Sequence, residues 1–196
     1  MLYQKNRPQA SPRAQLEMRY NTARYNLLLV AAFTVINMIM LISQSGSYFL
    51  FSAATPYIIT DLAMFFCGMY PAEAYLEYPG MGFFDMSVFY VAVAICVVII
   101  AMYVITFFLS RKGRVAWLFV ALGIFIVDTV MMFIFWDISA IIIDILFHVW
   151  VIGSLCLGIY SQFKLKKLPP VVETEHEIPE VEPEIPEVNS TENEEK

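Results

Sequence analysis

The stretch that decides the fold runs from Val115 to Tyr160 and reads VAWLFVALGIFIVDTVMMFIFWDISAIIIDILFHVWVIGSLCLGIY. It contains two apolar runs, residues 115–136 and 138–160, which meet at Asp137. Each run is about 22 residues long, and at a rise of about 1.5 Å per residue such a helix crosses a hydrocarbon core of about 30 Å. A connection this short forces the two helices to lie side by side and antiparallel. The stretch therefore predicts a membrane-embedded helical hairpin.

The composition extends this prediction to the rest of the chain. Of its 196 residues, 59% are hydrophobic and 15% are charged, whereas soluble domains carry about a quarter charged residues. Two further apolar runs, residues 26–42 and 88–109, are long enough to cross a bilayer. The pair Ser11-Pro12 predicts that a helix begins before the first of them. We therefore expect an all-α membrane protein, a four-span antiparallel helix bundle in contact with the lipid bilayer and with no role in nucleic-acid binding.

The distribution of lysine and arginine predicts the orientation of the transmembrane domain, residues 26–167. The N-terminal segment, residues 1–25, is basic, and basic residues at 111–114 separate the second span from the third. Three lysines follow the fourth span, whereas the first outer loop, residues 43–87, contains no lysine or arginine. By the positive-inside rule both termini are then cytoplasmic. A fifth span at 48–69 would put the basic clusters on opposite sides of the membrane.

Two segments outside the spans have features of their own. In the outer loop, residues 56–69 predict an extra apolar helix that lies at the membrane interface or re-enters the bundle, and the interfacial position is favoured. The segment 168–196 contains ten Glu and one Lys, so its net charge is −9. Because the whole chain has a net charge of −6, the rest of the chain carries +3. Its repeated Glu-Ile-Pro-Glu-Val motif predicts a disordered cytoplasmic tail.

Three ionisable side chains lie inside the predicted hairpin: Asp128 in the third span, and Asp144 and His148 in the fourth. Counted from Asp137, they lie roughly 13, 10 and 16 Å below the outer surface. Asp144 and His148 are an i, i+4 pair on one helix face, and Asn37 of the first span lies in the same outer half. Because an ionisable group in lipid is costly unless it is paired, we expect Asp128 to face the Asp144–His148 pair.

This candidate intramembrane polar cluster has three interpretations. Its residues can be hydrogen-bonding glue between helices, a proton or ion pathway, or ligands of a divalent metal. The first is favoured, because no H-E-x-x-H, G-x-S-x-G or Gly-rich phosphate motif is present and the three cysteines are isolated. The sequence therefore predicts no enzyme, no cofactor and no metal site.

Two hypotheses about function follow. The first is a non-enzymatic membrane bundle that acts through protein contacts at its outer loop or its acidic tail. The second is a small transporter or a proton- or ion-coupled channel that uses the buried Asp and His side chains.

Several short stretches resemble small multi-pass membrane proteins of Gram-positive, Clostridia-like bacteria: NLLL at 26–29, YFLFS at 48–52, PY at 56–57, FHVW at 147–150 and FKLKKLP at 163–169. The resemblance covers most of residues 20–169. That group carries no assigned activity, so the resemblance implies the helical architecture and a bacterial plasma membrane, and nothing about substrate or site residues.

Overall fold

The structure is a computed structural model that describes residues 11–49, 51–137 and 141–169. These residues form five α-helices, namely α1 (Pro12–Ile42), α2 (Ala54–Phe66), α3 (Met86–Leu109), α4 (Ala116–Phe135) and α5 (Ile142–Leu165). By length and hydropathy α1, α3, α4 and α5 are able to cross a membrane, and α2 is a shorter apolar helix. The chain is thus an all-α, multi-pass membrane protein. Most of the predicted tail, from residue 170 onwards, lies outside the described residues.

The first helix begins well before the predicted span. The hydroxyl of Ser11 accepts a hydrogen bond from the backbone N–H of Ala14 at 3.2 Å, and Pro12 occupies the first helical position. The helix contains 31 residues and is therefore about 46 Å long, which exceeds the hydrocarbon thickness. The cap predicted from Ser11-Pro12 is present, and α1 projects beyond the membrane core as one continuous helix.

Helices α1 and α5 approach each other closely at Gly158. A Cβ atom placed on Gly158 would lie 2.4 Å from the Cβ atom of Ala23, so only glycine allows this approach. One turn earlier in α5, the hydroxyl of Ser154 accepts a hydrogen bond from the amide of Asn26 at 2.6 Å. Small residues spaced by four therefore bring two spans together, which is their usual role in membrane helices.

Both ends of the described chain lie at one end of the bundle, which we call the basic end. There the guanidinium of Arg24 donates to the Ser110 hydroxyl at 2.9 Å and to the Phe107 carbonyl at 3.1 Å, and so ties α1 to the last turn of α3. The guanidinium of Arg13 donates to the carbonyl of Pro169 at 3.1 Å. At the opposite end α1 and α4 finish and α3 and α5 begin; we call it the outer end, because the distribution of lysine and arginine predicts that it faces the outside of the membrane.

The connection between α4 and α5 is longer than predicted. Helix α4 ends at Phe135, Trp136 has an extended backbone with φ −124° and ψ 145°, and α5 begins only at Ile142. In the described residues the two helices are thus separated by Trp136 and Asp137 on one side and by Ile141 on the other. Trp136 leaves the helix because its ring packs at the outer end against aromatic side chains from other segments. Helix α5 instead continues to Leu165, beyond the predicted end of the span.

Candidate functional site

The N-terminus of α2 lies buried inside the bundle. Its cap residue Ala53 and its first residue Ala54 are fully buried, and Ala53 has no side-chain oxygen to accept a hydrogen bond. The first four backbone N–H groups of any helix lack partners within the helix. In an apolar interior each of them needs an acceptor from elsewhere, because an unpaired buried N–H is costly.

Side chains of two other helices supply these acceptors. The N–H of Ala53 donates to the hydroxyl of Thr34 in α1 at 2.8 Å. The N–H groups of Ala54 and Thr55 donate to Oδ2 and Oδ1 of Asp128 in α4, at 3.0 Å and 2.7 Å. The next residue is a proline, which has no N–H. Every backbone donor in the first turn of α2 is therefore accounted for.

His148 in α5 completes this site from the other side. Its Nε2 lies 3.1 Å from Oδ2 of Asp128, and its Nδ1 lies 2.8 Å from the backbone oxygen of Asp144. A carbonyl oxygen has no proton to give, so Nδ1 carries one. A hydrogen bond between Nε2 and Oδ2 needs a second proton, on either the imidazole or the carboxyl group. The ring also stacks on Phe125 with the centroids 4.8 Å apart, which holds it in this orientation.

Asp128 and His148 are only 2% and 1% exposed, so the pair is withdrawn from both lipid and water. The carboxylate lies at the positive end of the α2 dipole and accepts two backbone N–H bonds as well as the contact with His148. This arrangement compensates the cost of burying a carboxylate. The site is thus a buried helix cap assembled from α1, α2, α4 and α5.

Asn37 serves a neighbouring segment rather than this pair. Its amide donates to the carbonyl of Phe49 at 2.6 Å and to the hydroxyl of Ser52 at 2.7 Å, and its oxygen accepts from the N–H of Phe49 at 2.7 Å. Beside it, Phe51 has a φ of 78°, a left-handed conformation that a bulky residue seldom adopts. Asn37 therefore holds the chain in the bend that leads from α1 down to α2.

Asp144 does not join the pair through its carboxylate. Its backbone oxygen binds His148, because in a helix the oxygen of residue i lies within reach of a histidine at i+4. The carboxylate instead lies 3.5 Å from the hydroxyl of Tyr48, in a cavity of about 420 Å³ at the outer end. Asp128 and His148 thus lie in contact with each other, whereas the Asp144 carboxylate lies beside Tyr48.

A metal ion is not supported by this arrangement. In the described part of the chain, no three His, Cys, Asp or Glu side chains come close enough to hold one ion. Asp128 and His148 alone offer two ligands, and the carboxylate oxygens are already engaged by backbone donors.

A second, smaller cavity adjoins the pair on the side of α3. It has a volume of about 200 Å³ and is lined by Asp128, Thr55 and Tyr103 together with aliphatic side chains of α3 and α4. The hydroxyls of Thr55 and Tyr103 are buried without a hydrogen-bond partner among the described residues. The interior next to the pair therefore contains both space and hydroxyl groups.

Sequence reasoning missed Thr34, which accepts the N–H of Ala53, and Ser52, which accepts from the amide of Asn37. A lone hydroxyl in an apolar helix gives no signal by itself, since it can bond to its own backbone, as Thr34 also does to Val30 at 2.7 Å. The sequence did contain one signal, because Thr55-Pro56 marks a helix start and the two alanines before it have no side-chain oxygen to cap that helix. A helix that begins in this way inside a membrane requires hydrogen-bond acceptors from other segments.

Comparisons with protein-family models, with curated proteins and with solved structures gave no match to this chain. Its function therefore has to be inferred from its own geometry.

Proposed function

We propose that the protein is a non-enzymatic membrane bundle that acts through protein contacts at its outer loop, and that α2 is a re-entrant helix supporting this loop. One observation carries the proposal: the buried Asp128–His148 pair is occupied in capping the first turn of α2. Polar groups used in this way are structural glue, so activity is expected at a surface.

Helix lengths support the re-entrant path. Asp128 lies seven residues before the end of α4 and Thr34 eight residues before the end of α1, which puts the start of α2 about 10–12 Å inside the outer end. The 13 residues of α2 then rise about 20 Å. The last of them, Phe66, accepts a hydrogen bond from Phe84 at 2.9 Å, just before α3 begins. Irregular backbone at this depth is tolerated when the protein satisfies it.

The outer loop is folded against the end of α2. The amide of Gln44 donates to the carbonyl of Met69 at 2.7 Å, and the hydroxyl of Tyr75 donates to the carbonyl of Phe65 at 3.1 Å. The hydroxyl of Tyr70 donates to Asp61, and burial together with this carboxylate raises the pKa of Tyr70 well above its usual value. These contacts fasten the loop to α2, which suits a binding surface that moves little on binding.

Large apolar side chains are exposed on this loop. Leu76 is 76% exposed, and Tyr78, Phe83 and Phe84 are each more than half exposed. Exposed apolar groups that lie close together mark contact surfaces. With both termini in the cytoplasm of a bacterium, as the basic residues and the resemblance imply, the loop faces the outside of the plasma membrane.

Site-specific photo-crosslinking tests this proposal. A benzophenone amino acid at Leu76 or Tyr78 should give one discrete protein adduct in intact cells. The same probe at Val98 or Val127, which are exposed on the spans, should give lipid adducts only. Equal adduct patterns at all four positions, or none at the loop, would overturn the proposal.

The alternative is a small transporter or a proton-coupled channel. It is favoured by the buried contact between Asp128 and His148, and by the adjoining cavity with its two buried hydroxyls. Proton and ion flux into proteoliposomes discriminates the two functions. Flux that is lost in a folded Asp128→Asn, His148→Gln variant supports transport, and a parent protein without flux under any gradient removes it.

A further inference from the structure

We propose that the cavity at the outer end binds a small organic ammonium ion, of the tetramethylammonium or choline type, from the aqueous phase outside the membrane. The cavity is the one beside Asp144, with a volume of about 420 Å³, within the range of small-molecule sites. It is separate from the loop surface described above, so its test does not depend on the proposed protein contacts.

Three aromatic rings from three segments meet around this cavity. Tyr48 follows α1, Tyr57 lies in α2, and Trp136 follows α4. The ring centroids of Tyr48 and Tyr57 are 5.2 Å apart at an interplanar angle of 89°. Those of Tyr48 and Trp136 are 6.3 Å apart at 90°, and those of Tyr57 and Trp136 are 5.8 Å apart at 66°. The rings of each pair are steeply inclined to one another, and clusters of aromatic rings are known to bind quaternary ammonium groups.

Two carboxylates give the same cavity a negative charge. Asp137 is exposed at its rim, and Asp144 is 6% exposed in its wall. The described residues place no lysine, arginine or histidine side chain within salt-bridge distance of Asp144, whose carboxylate has the Tyr48 hydroxyl at 3.5 Å. His148, one turn further along α5, has its Nε2 engaged by Asp128 at 3.1 Å, so the Asp144 carboxylate has no salt bridge of its own, and this favours the binding of a cation.

The protein itself supplies no lysine or arginine to the outer end. The sequence has no lysine or arginine between Arg24 and Arg111, and none between Arg114 and Lys164. Acidic residues are the charged residues of the outer loop. A cation that pairs with Asp137 and Asp144 in this cavity would therefore be supplied by a ligand, because the imidazole of His148 is engaged by Asp128.

The chemistry of the walls selects an organic cation over a metal ion. Metal ions need several oxygen or nitrogen ligands in one small shell, and among the described residues no group of three His, Cys, Asp or Glu exists. Aromatic faces instead attract large, weakly hydrated cations. Ordinary belt aromatics point singly at the headgroups, whereas these three rings share one cavity with carboxylates.

Equilibrium binding of radiolabelled choline to the full-length protein in nanodiscs of phosphatidylglycerol tests the inference. Tetramethylammonium should compete, whereas 3,3-dimethylbutan-1-ol, the neutral isostere of choline, should compete at least tenfold more weakly. Sodium chloride should reduce the binding of choline only at concentrations that are high enough to screen charge. An isostere that competes as well as choline would show an apolar cavity without cation selectivity and would overturn the proposal.

Matched variants locate the site. Asp144→Asn should weaken binding at least tenfold, and Tyr48→Leu should weaken it about fivefold while Tyr48→Phe, which keeps the ring, should not. Glu77→Gln removes an exposed carboxylate of the same face and should change nothing. Affinities that are unchanged in Asp144→Asn and Tyr48→Leu, or lowered equally in Glu77→Gln, would overturn the proposal.

The lipid headgroup is the competing source of the same chemistry. Nanodiscs that contain phosphatidylcholine should leave the affinity for soluble choline unchanged if the ligand comes from the aqueous phase. Loss of soluble binding in these nanodiscs would overturn that assignment, because the lipid's own choline group would then fill the cavity. Thermal unfolding of each variant shows whether it is folded when its binding is measured.

Discussion

Replacement of Asp128 by alanine should destabilise the protein more than any other single change in the candidate site. The substitution leaves the N–H groups of Ala54 and Thr55 without acceptors and leaves His148 without its partner. Breaking a buried pair costs about 3–5 kcal/mol, and each unpaired buried donor costs about 1–3 kcal/mol. These costs overlap, and hydrogen bonds between membrane helices average only about 0.6 kcal/mol. We therefore expect a total loss of about 3–5 kcal/mol.

Related variants separate the contributions to this loss. Asp128→Asn keeps one acceptor oxygen and should cost about 1–2 kcal/mol. Thr129→Ala, one residue away, removes a hydroxyl that bonds only to its own helix at Phe125 and should cost under about 0.5 kcal/mol. Asp128→Ala should cost about 1–3 kcal/mol less in a His148→Ala background, because the two losses are coupled.

Reversible unfolding in mixed detergent micelles measures these free energies, and hydrogen exchange locates the effect. The amides of Ala54 and Thr55 should exchange faster in Asp128→Ala, while the amides in the middle of α3 should keep their protection. If Asp128→Ala costs no more than Thr129→Ala, or leaves both amides protected, then Asp128 does not cap α2 and the structural explanation of the site is wrong.

Three further outcomes are expected. Gly158→Ala should cost about 1–3 kcal/mol by overpacking the contact of α1 with α5, whereas Gly153→Ala, where an added Cβ meets nothing within 4 Å, should be neutral or slightly stabilising in the same unfolding assay. Cysteines introduced after Lys167 and within residues 73–82 of a cysteine-free variant should be labelled from opposite sides of the membrane; labelling of both from one side contradicts four spans with both termini inside. Deletion of residues 171–196 should leave membrane insertion and the melting temperature unchanged, because this segment can bury little apolar surface; a drop of several degrees would show that it docks on the bundle.

Much of the architecture could be predicted from local patterns. Apolar length predicted four spans, and Ser11-Pro12 predicted the early start of α1. Local patterns failed where the chain leaves the regular helix. The connection after Phe135 depends on where the ring of Trp136 finds partners, and these are Tyr48 and Tyr57, far away in sequence.

The candidate site was predictable only in part for the same reason. Counting residues from Asp137 put Asp128 and His148 at similar depths, and they do meet. The count could not tell that the Asp144 side chain turns outward, since rotation about the axis of α5 depends on packing.

The sequence by itself determined that this chain forms long apolar helices with basic residues concentrated at one end, because span length and charge are properties of single segments. Only the tertiary structure decided what the buried polar residues do. The N–H groups of Ala53 and Ala54 reach their acceptors in Thr34 and Asp128 across 19 and 74 residues of sequence. Pairing at such separations arises from helix packing, and no local pattern specifies which donor meets which acceptor.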